Sequence, residues 1–175
     1  GVRLVGSEMC IRDSTYPLMK RFTYWPQLFL GITFNYGLIL GWISIENEIS
    51  VTPIILYFGA IFWTLGYDTI YGYQDINDDE IIGVKSTSIK FKNNPKKFLF
   101  ICYSITILSY LALGQVMNFN YFFYFGALLM VVHLFLYQLN SFKIKNIDSC
   151  LIIFKSNNSF GFIVLVFIFL GKLNI

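Results

Sequence analysis

Charge is what this sequence has least of. Of its 175 residues only 13% are Asp, Glu, Lys or Arg, about half the share usual in a soluble domain. The chain is 56% hydrophobic and its mean hydropathy is +0.61. A soluble protein of this size cannot hide that much apolar surface in one core, so the excess must face lipid. Cysteine is also scarce. Cys10, Cys102 and Cys150 are odd in number and show neither CxxC spacing nor Cys/His clustering, which argues against a disulfide framework or a zinc site. They read as small apolar residues. There is no internal repeat and no low-complexity linker. The net charge of +3 says little about partners, and neither a nucleic acid nor a protein partner is expected.

Apolar and aromatic residues are in excess. Five stretches run from about Pro26 to Ile45, Val51 to Tyr71, Lys97 to Met117, Tyr121 to Leu139 and Ser159 to Leu173. A helix rises about 1.5 Å per residue, so about 20 residues cross a ~30 Å hydrocarbon core. Four stretches meet that length and the fifth is shorter. Nineteen Phe and twelve Tyr suit a bundle with aromatic residues inside and at both interfaces. The expected fold is an all-α membrane protein, a bundle of five transmembrane helices. Pro26, Pro53 and Pro95 lie near helix starts, where a missing N–H costs least. Asn94 can cap the third helix, and Asn118 and Asn120 mark a tight turn after it.

The loops alternate in charge. Lys20 and Arg21 precede the first span, and Glu46 and Glu48 follow it. Lys85, Lys90, Lys92, Lys96 and Lys97 lie between the second and third, and Lys143, Lys145 and Lys155 between the fourth and fifth. Under the positive-inside rule the basic loops are cytoplasmic and the C-terminus is outside. Residues 1–14 differ from the rest. They carry four charges, Arg3, Glu8, Arg12 and Asp13, without an apolar period, and are too polar for a signal-peptide core. They are expected to be a non-native or artefactual segment, with the membrane domain over 15–175.

One segment carries chemistry. Half of the ten acidic residues fall between Asp68 and Glu80, where the second helix leaves the membrane on the basic side. If that helix continues through Asp79, then Asp68, Tyr71, Asp75 and Asp79 share one face, with Thr64 a turn earlier. Asp75 and Asp79, four apart, repel each other unless a cation lies between them. Mg²⁺ prefers one or two carboxylates with water and phosphate oxygens, so such a pair suits a metal-bound diphosphate. Lys85, beyond Gly83, can meet the same phosphates as a point charge, and Lys20 and Arg21 lie on the same side. An acidic loop at a membrane surface is most simply solvated. Asp68 weakens that reading, because an ionisable residue within an apolar helix is functional by default.

The run YDTIYGYQDINDDEIIGVKSTSIKF closely resembles the second aspartate-rich motif of the UbiA superfamily of membrane prenyltransferases, and within it the members that act on 4-hydroxybenzoate. The run from Tyr16 to Gln27 resembles the loop before the family's fifth helix, and Cys150 to Gly161 the loop before its last. The match covers about 16–175. It implies the last five of nine helices. The first motif, NDxxDxxxD, has no counterpart here, so the resemblance implies that this chain holds half a site and is inactive alone. It further implies a transferase that moves a polyprenyl group from polyprenyl diphosphate to 4-hydroxybenzoate in ubiquinone biosynthesis, with Mg²⁺ held by Asp75 and Asp79. Asp68 is the motif's upstream aspartate and Lys85 its lysine. The resemblance likewise makes Lys20 and Arg21 the family's Lys-Arg pair, the arginine holding either a phosphate or the benzoate carboxylate. The expected setting is a bacterial inner membrane with a cytoplasmic site, or the mitochondrial inner membrane in a eukaryote. The rivals are a UbiA relative with another acceptor and a cation-transporter fragment.

The remaining polar residues have plainer readings. His133, the only histidine, is expected to be a hydrogen-bonded bundle residue rather than a catalytic base. Asn35 and Gln115 are expected to bond between helices. Asn157 and Asn158 are read first as caps of the last helix.

Overall fold

The computed structural model describes residues 18–144 and 146–173. The segment 1–14, the start of the Tyr16 to Gln27 run, and Lys145 lie outside the described residues. After a short helical segment at 18–22 come α1 (Pro26–Glu46) and α2 (Val51–Gly72). Two short helices follow, α3 (Ile76–Ile82) and α4 (Thr87–Lys90), then α5 (Pro95–Val116), α6 (Tyr121–Ser141) and α7 (Ile147–Lys172). Five of these, α1, α2, α5, α6 and α7, are long and apolar enough to cross a membrane. The described residues form helices joined by short turns, as the apolar periodicity predicts.

The punctuation works as its chemistry requires. Pro26 and Pro95 open their helices. Asn120 caps α6 by accepting from the Phe122 amide at 3.0 Å, and Asn118 turns the chain before it at φ 49°. Asn94 is at the start of α5 but makes no side-chain cap. The fifth span departs from expectation. Its helix begins at Ile147, capped by Asn146 from the Ser149 amide at 3.0 Å. Lys155 and Asn157 therefore lie inside α7, and neither Asn157 nor Asn158 is a cap. Hydropathy marks where apolar surface begins, whereas a helix starts where its first free amides find an acceptor. At 26 residues, α7 is about 39 Å long, more than a hydrocarbon core needs.

α2 is the central helix. It packs on α1, α5 and α7, while α6 bridges α5 and α7. The main core, including Ile70, Leu99, Tyr103, Phe123, Leu134, Ile153 and Phe160, lies within the α2, α5, α6, α7 ring. α1 leans on the outside of α2, and only 11% of its most apolar window is buried. The α1–α2 contact needs a glycine: a Cβ on Gly31 would lie 2.9 Å from the Ile61 carbonyl oxygen. Close approach of this kind lets helices gain dispersion contact where lipid offers no hydrophobic drive. Asn35 bonds across the same seam as expected, donating to Thr64 Oγ1 at 2.8 Å and to the Ala60 carbonyl at 3.3 Å. Gln115 does not. It is exposed at the end of α5, where interfacial water can satisfy it.

Candidate functional site: an acidic turn pinned beside two lysines

The acidic run does not continue α2. The helix ends at Gly72, the chain turns through Tyr73, Gln74 and Asp75, and α3 begins at Ile76. This corrects the single carboxylate stripe expected from periodicity. Two causes are local. Gly72 lies against the Ser88 hydroxyl so closely that a Cβ there would overlap it. The Tyr73 side chain turns into the core beside Phe142, with ring centroids 5.3 Å apart, and this burial pushes its phenol pKa up. The Asp75–Asp79 pair survives the break. Asp75 sits just before α3 and its carbonyl accepts from the Asp79 amide at 2.9 Å, so the two remain one helical turn apart. Asp75 is exposed and Asp79 is half-buried. Asp68 is buried within α2.

The returning loop is stitched down by buried polar contacts. Gly83 closes α3 at φ 78°, a left-handed conformation suited to glycine. The Lys85 amide donates to the Lys20 carbonyl at 2.7 Å. The Thr87 amide donates to Gln27 Oε1 at 3.0 Å, the Thr87 and Thr69 hydroxyls bond at 2.7 Å, and Ser88 Oγ donates to the Thr69 carbonyl at 2.8 Å. Gln27, Thr69, Thr87 and Ser88 are all buried. Together they tie α4 to α1 and α2, and Lys90 over the Trp25 ring at 4.4 Å adds a contact at the rim. A Gln27→Leu variant leaves the Thr87 amide without its acceptor. The expected cost is about 1–3 kcal/mol, read as a lower unfolding midpoint in detergent; an unchanged midpoint contradicts this pinning role.

The pinning brings cations to the acidic turn. Lys20 Nζ lies 3.8 Å from Asp79 Oδ2. Lys85 is joined to Lys20 through the backbone, and its ammonium rests near the Phe22 carbonyl at 3.5 Å and 5.6 Å from the Tyr24 ring centre. Glu80 pairs with Lys92 instead. Arg21 is exposed on the same short segment as Lys20. Of the residues singled out in the sequence, the structure gathers Asp75, Asp79, Lys20 and Lys85. Asp68 is buried on α2, and Arg21 is exposed beside Lys20. Among the described residues no three His, Cys, Asp or Glu side chains converge as a ready-made metal cage. Two carboxylates one turn apart fit the alternative, a cation completed by phosphate oxygens and water.

Sequence reasoning missed a polar cluster deeper in the bundle. Residues 132–138 of α6 form a π-helical segment. At its end Gln138, fully buried, accepts from the Tyr103 hydroxyl at 2.6 Å. Its Nε2 lies 3.1 Å from Asn157 Oδ1, 3.2 Å from Ser156 Oγ and 3.1 Å from His133 Nε2. Trp63 Nε1 donates to the same Asn157 oxygen at 2.8 Å. His133 is thus a hydrogen-bonded bundle residue, as expected. The available signal was a lone Gln in an apolar span.

This architecture defines an all-α integral membrane protein with acidic and lysine side chains gathered at a turn at one end of its bundle. The chain belongs to the UbiA prenyltransferase family, whose model matches residues 9–168. It is 41% identical over 170 residues to the mitochondrial 4-hydroxybenzoate polyprenyltransferase of Bos taurus and 42% identical to that of Homo sapiens, covering 97% of this chain and 46% of each relative. The Arabidopsis thaliana enzyme of the same name is 36% identical over 173 residues, 97% of this chain and 42% of its own length. The chain therefore spans about half the length of the curated relatives it matches. No solved structure matches it.

Proposed function

We propose that the protein of which this sequence is about half transfers a polyprenyl group from polyprenyl diphosphate to the ring of 4-hydroxybenzoate, a step of ubiquinone biosynthesis. The observation that carries this is the acidic turn. In a family member, Asp79 of the Asp75–Asp79 pair lies 3.8 Å from Lys20, to which Lys85 is bonded through the backbone, and a diphosphate needs both a cation site and positive side chains. The mitochondrial names of the relatives favour the mitochondrial inner membrane, or a bacterial inner membrane, with the site on the side of the basic loops.

Asp75 and Asp79 would hold Mg²⁺, which supplies charge neutralisation for the diphosphate. Lys20 now partly neutralises Asp79, and on substrate binding its ammonium can move to a phosphate oxygen. Lys85 contributes a second point charge from the pinned loop. Arg21 holds either a phosphate or the benzoate carboxylate. Asp68, buried in α2, would act as the family motif's upstream aspartate. The allylic C–O bond breaks and its electron pair leaves with the diphosphate. The ring carbon ortho to the phenol hydroxyl forms the new C–C bond and then loses its proton, which restores the aromatic ring. Charges fixed around the leaving group before reaction account for most of the expected acceleration.

An apolar groove offers the tail a place. A cavity of about 330 Å³ is bounded by residues including Leu56, Ala60, Trp63 and Ile168. A second of about 540 Å³ shares Leu38, Leu56, Leu165 and Ile168 with it and reaches Thr52. Along α2 from Trp63 to Thr52 the two extend about 16 Å at helical rise, leading away from the acidic end. The test of this reading is an acceptor comparison with the full-length protein in membranes. Labelled 4-hydroxybenzoate should be prenylated in preference to a dihydroxynaphthoate or a chlorophyllide; preference for either of those reassigns the acceptor within the family.

A further inference from the structure

We propose that Gln138 is a positioning residue: it holds Trp63 as a fixed wall of the apolar cavity and so sets which prenyl chain lengths are accepted. The inference rests on the reading of that cavity as the tail site. Its starting point is the cost of the Gln138 cluster. A side-chain amide buried at membrane depth is expensive unless every group is paired, and this one is paired four ways. The Tyr103 hydroxyl of α5 donates to its oxygen, and its nitrogen is shared among His133 on α6 and Ser156 and Asn157 on α7. Each extra residue of a π-turn rotates the rest of the helix by about 100°. The π-helical stretch 132–138 therefore sets the direction in which Gln138 leaves α6.

The cluster reaches the cavity through one side chain. Asn157 is clamped. Its nitrogen donates to the Ile153 and Phe154 carbonyls, both at 3.1 Å, and its oxygen accepts from Gln138 and from Trp63 Nε1 at 2.8 Å. Trp63 has no other polar side-chain atom, so this bond and the packing of its ring together fix its rotation. Its ring packs on Phe160 at 4.9 Å and Tyr67 at 5.4 Å, and it lines the cavity. Gln138 does not line the cavity. Its loss leaves the Asn157–Trp63 bond without its support from α6 and can reach the tail only through that pair, which separates positioning from direct contact. The aromatic strip continues from Tyr67 through Phe154 to Tyr71, at 5.7 Å and 4.7 Å. Trp63 thus stands at the junction between the cavity and the approach to Asp68.

The experiment uses the full-length enzyme in nanodiscs and compares kcat/KM for a short and a long polyprenyl diphosphate. Gln138→Leu should change the long-to-short ratio by about tenfold, the discrimination typical of a reshaped apolar pocket, with the change in KM rather than kcat. Asn157→Ala removes the acceptor of the Trp63 N–H at a residue that does not line the cavity, and it should move the ratio in the same direction; it decides the matter if Gln138→Leu does not fold. A merely structural role lowers activity equally for both chains, and a ratio within about twofold of wild type in both variants overturns the proposal. Failure of the functional reading looks different: the wild type then makes no prenylated 4-hydroxybenzoate from either chain, and this inference falls with it.

Discussion

Asp75→Asn and Asp79→Asn in the full-length enzyme are each expected to lower prenyl transfer at least ~100-fold, the loss seen when a preorganised charge-stabilising group is removed. The substitution is close to isosteric and neither carboxylate is in the core, so folding should be little affected. Asp79 loses its partner Lys20, but at 3.8 Å and partly exposed that pair contributes little to stability. Each variant removes half of the anionic pair proposed to hold a divalent cation. Asp75 and Asp79 are one turn apart by the bond from the Asp79 amide to the Asp75 carbonyl, which lets one cation draw on both. Rates of prenylation are the measurement. Near-normal rates in both variants would return the acidic turn to a solvated surface loop.

The 175-residue chain alone is expected to be inactive, at least ~100-fold below a full-length homologue. A polyprenyl diphosphate carries several negative charges that must be neutralised in a site partly shielded from water. This chain offers one carboxylate pair with Lys20, Lys85 and Arg21 nearby, and no cluster of three metal-ligating side chains among the described residues. It spans 46% of the length of its mammalian relatives, and the family resemblance implies that a second aspartate motif completes the clamp. Each ~1.4 kcal/mol of lost transition-state stabilisation costs tenfold in rate. The purified chain and a full-length homologue, assayed side by side in nanodiscs, provide the check. Activity within tenfold of the homologue contradicts the half-site argument.

The sequence carried the spans well because bilayer thickness demands long uninterrupted apolar runs. The starts of α1, α2 and α6 fell where Pro26, Val51 and Tyr121 pointed. The start of α7 was hidden because its first turns, with Asp148 and Lys155, are polar but still helical. At the site, residue types were legible and geometry was not. The i,i+4 spacing of Asp75 and Asp79 fits both a continuous α2 and a new helix after a turn. Only Tyr73 turning inward and Ser88 packing on Gly72 choose between them, and neither contact has a periodicity. The contacts that fold Lys20 onto the acidic turn join residues such as Gln27 and Thr87, 60 apart in sequence. Gln138 gave one weak sign, and its meaning depends on the π-helical stretch that aims it.

If the acidic turn works as a cation-dependent diphosphate site for 4-hydroxybenzoate prenylation, turnover must depend on a divalent metal. The most direct measurement is formation of labelled product by membranes containing the full-length protein, supplied with polyprenyl diphosphate and labelled 4-hydroxybenzoate, before and after EDTA and then with added Mg²⁺. The account predicts that product formation is lost with EDTA and restored by Mg²⁺ in the wild type, and that Asp75→Asn needs more Mg²⁺ for any residual turnover. Turnover undiminished by EDTA would contradict it.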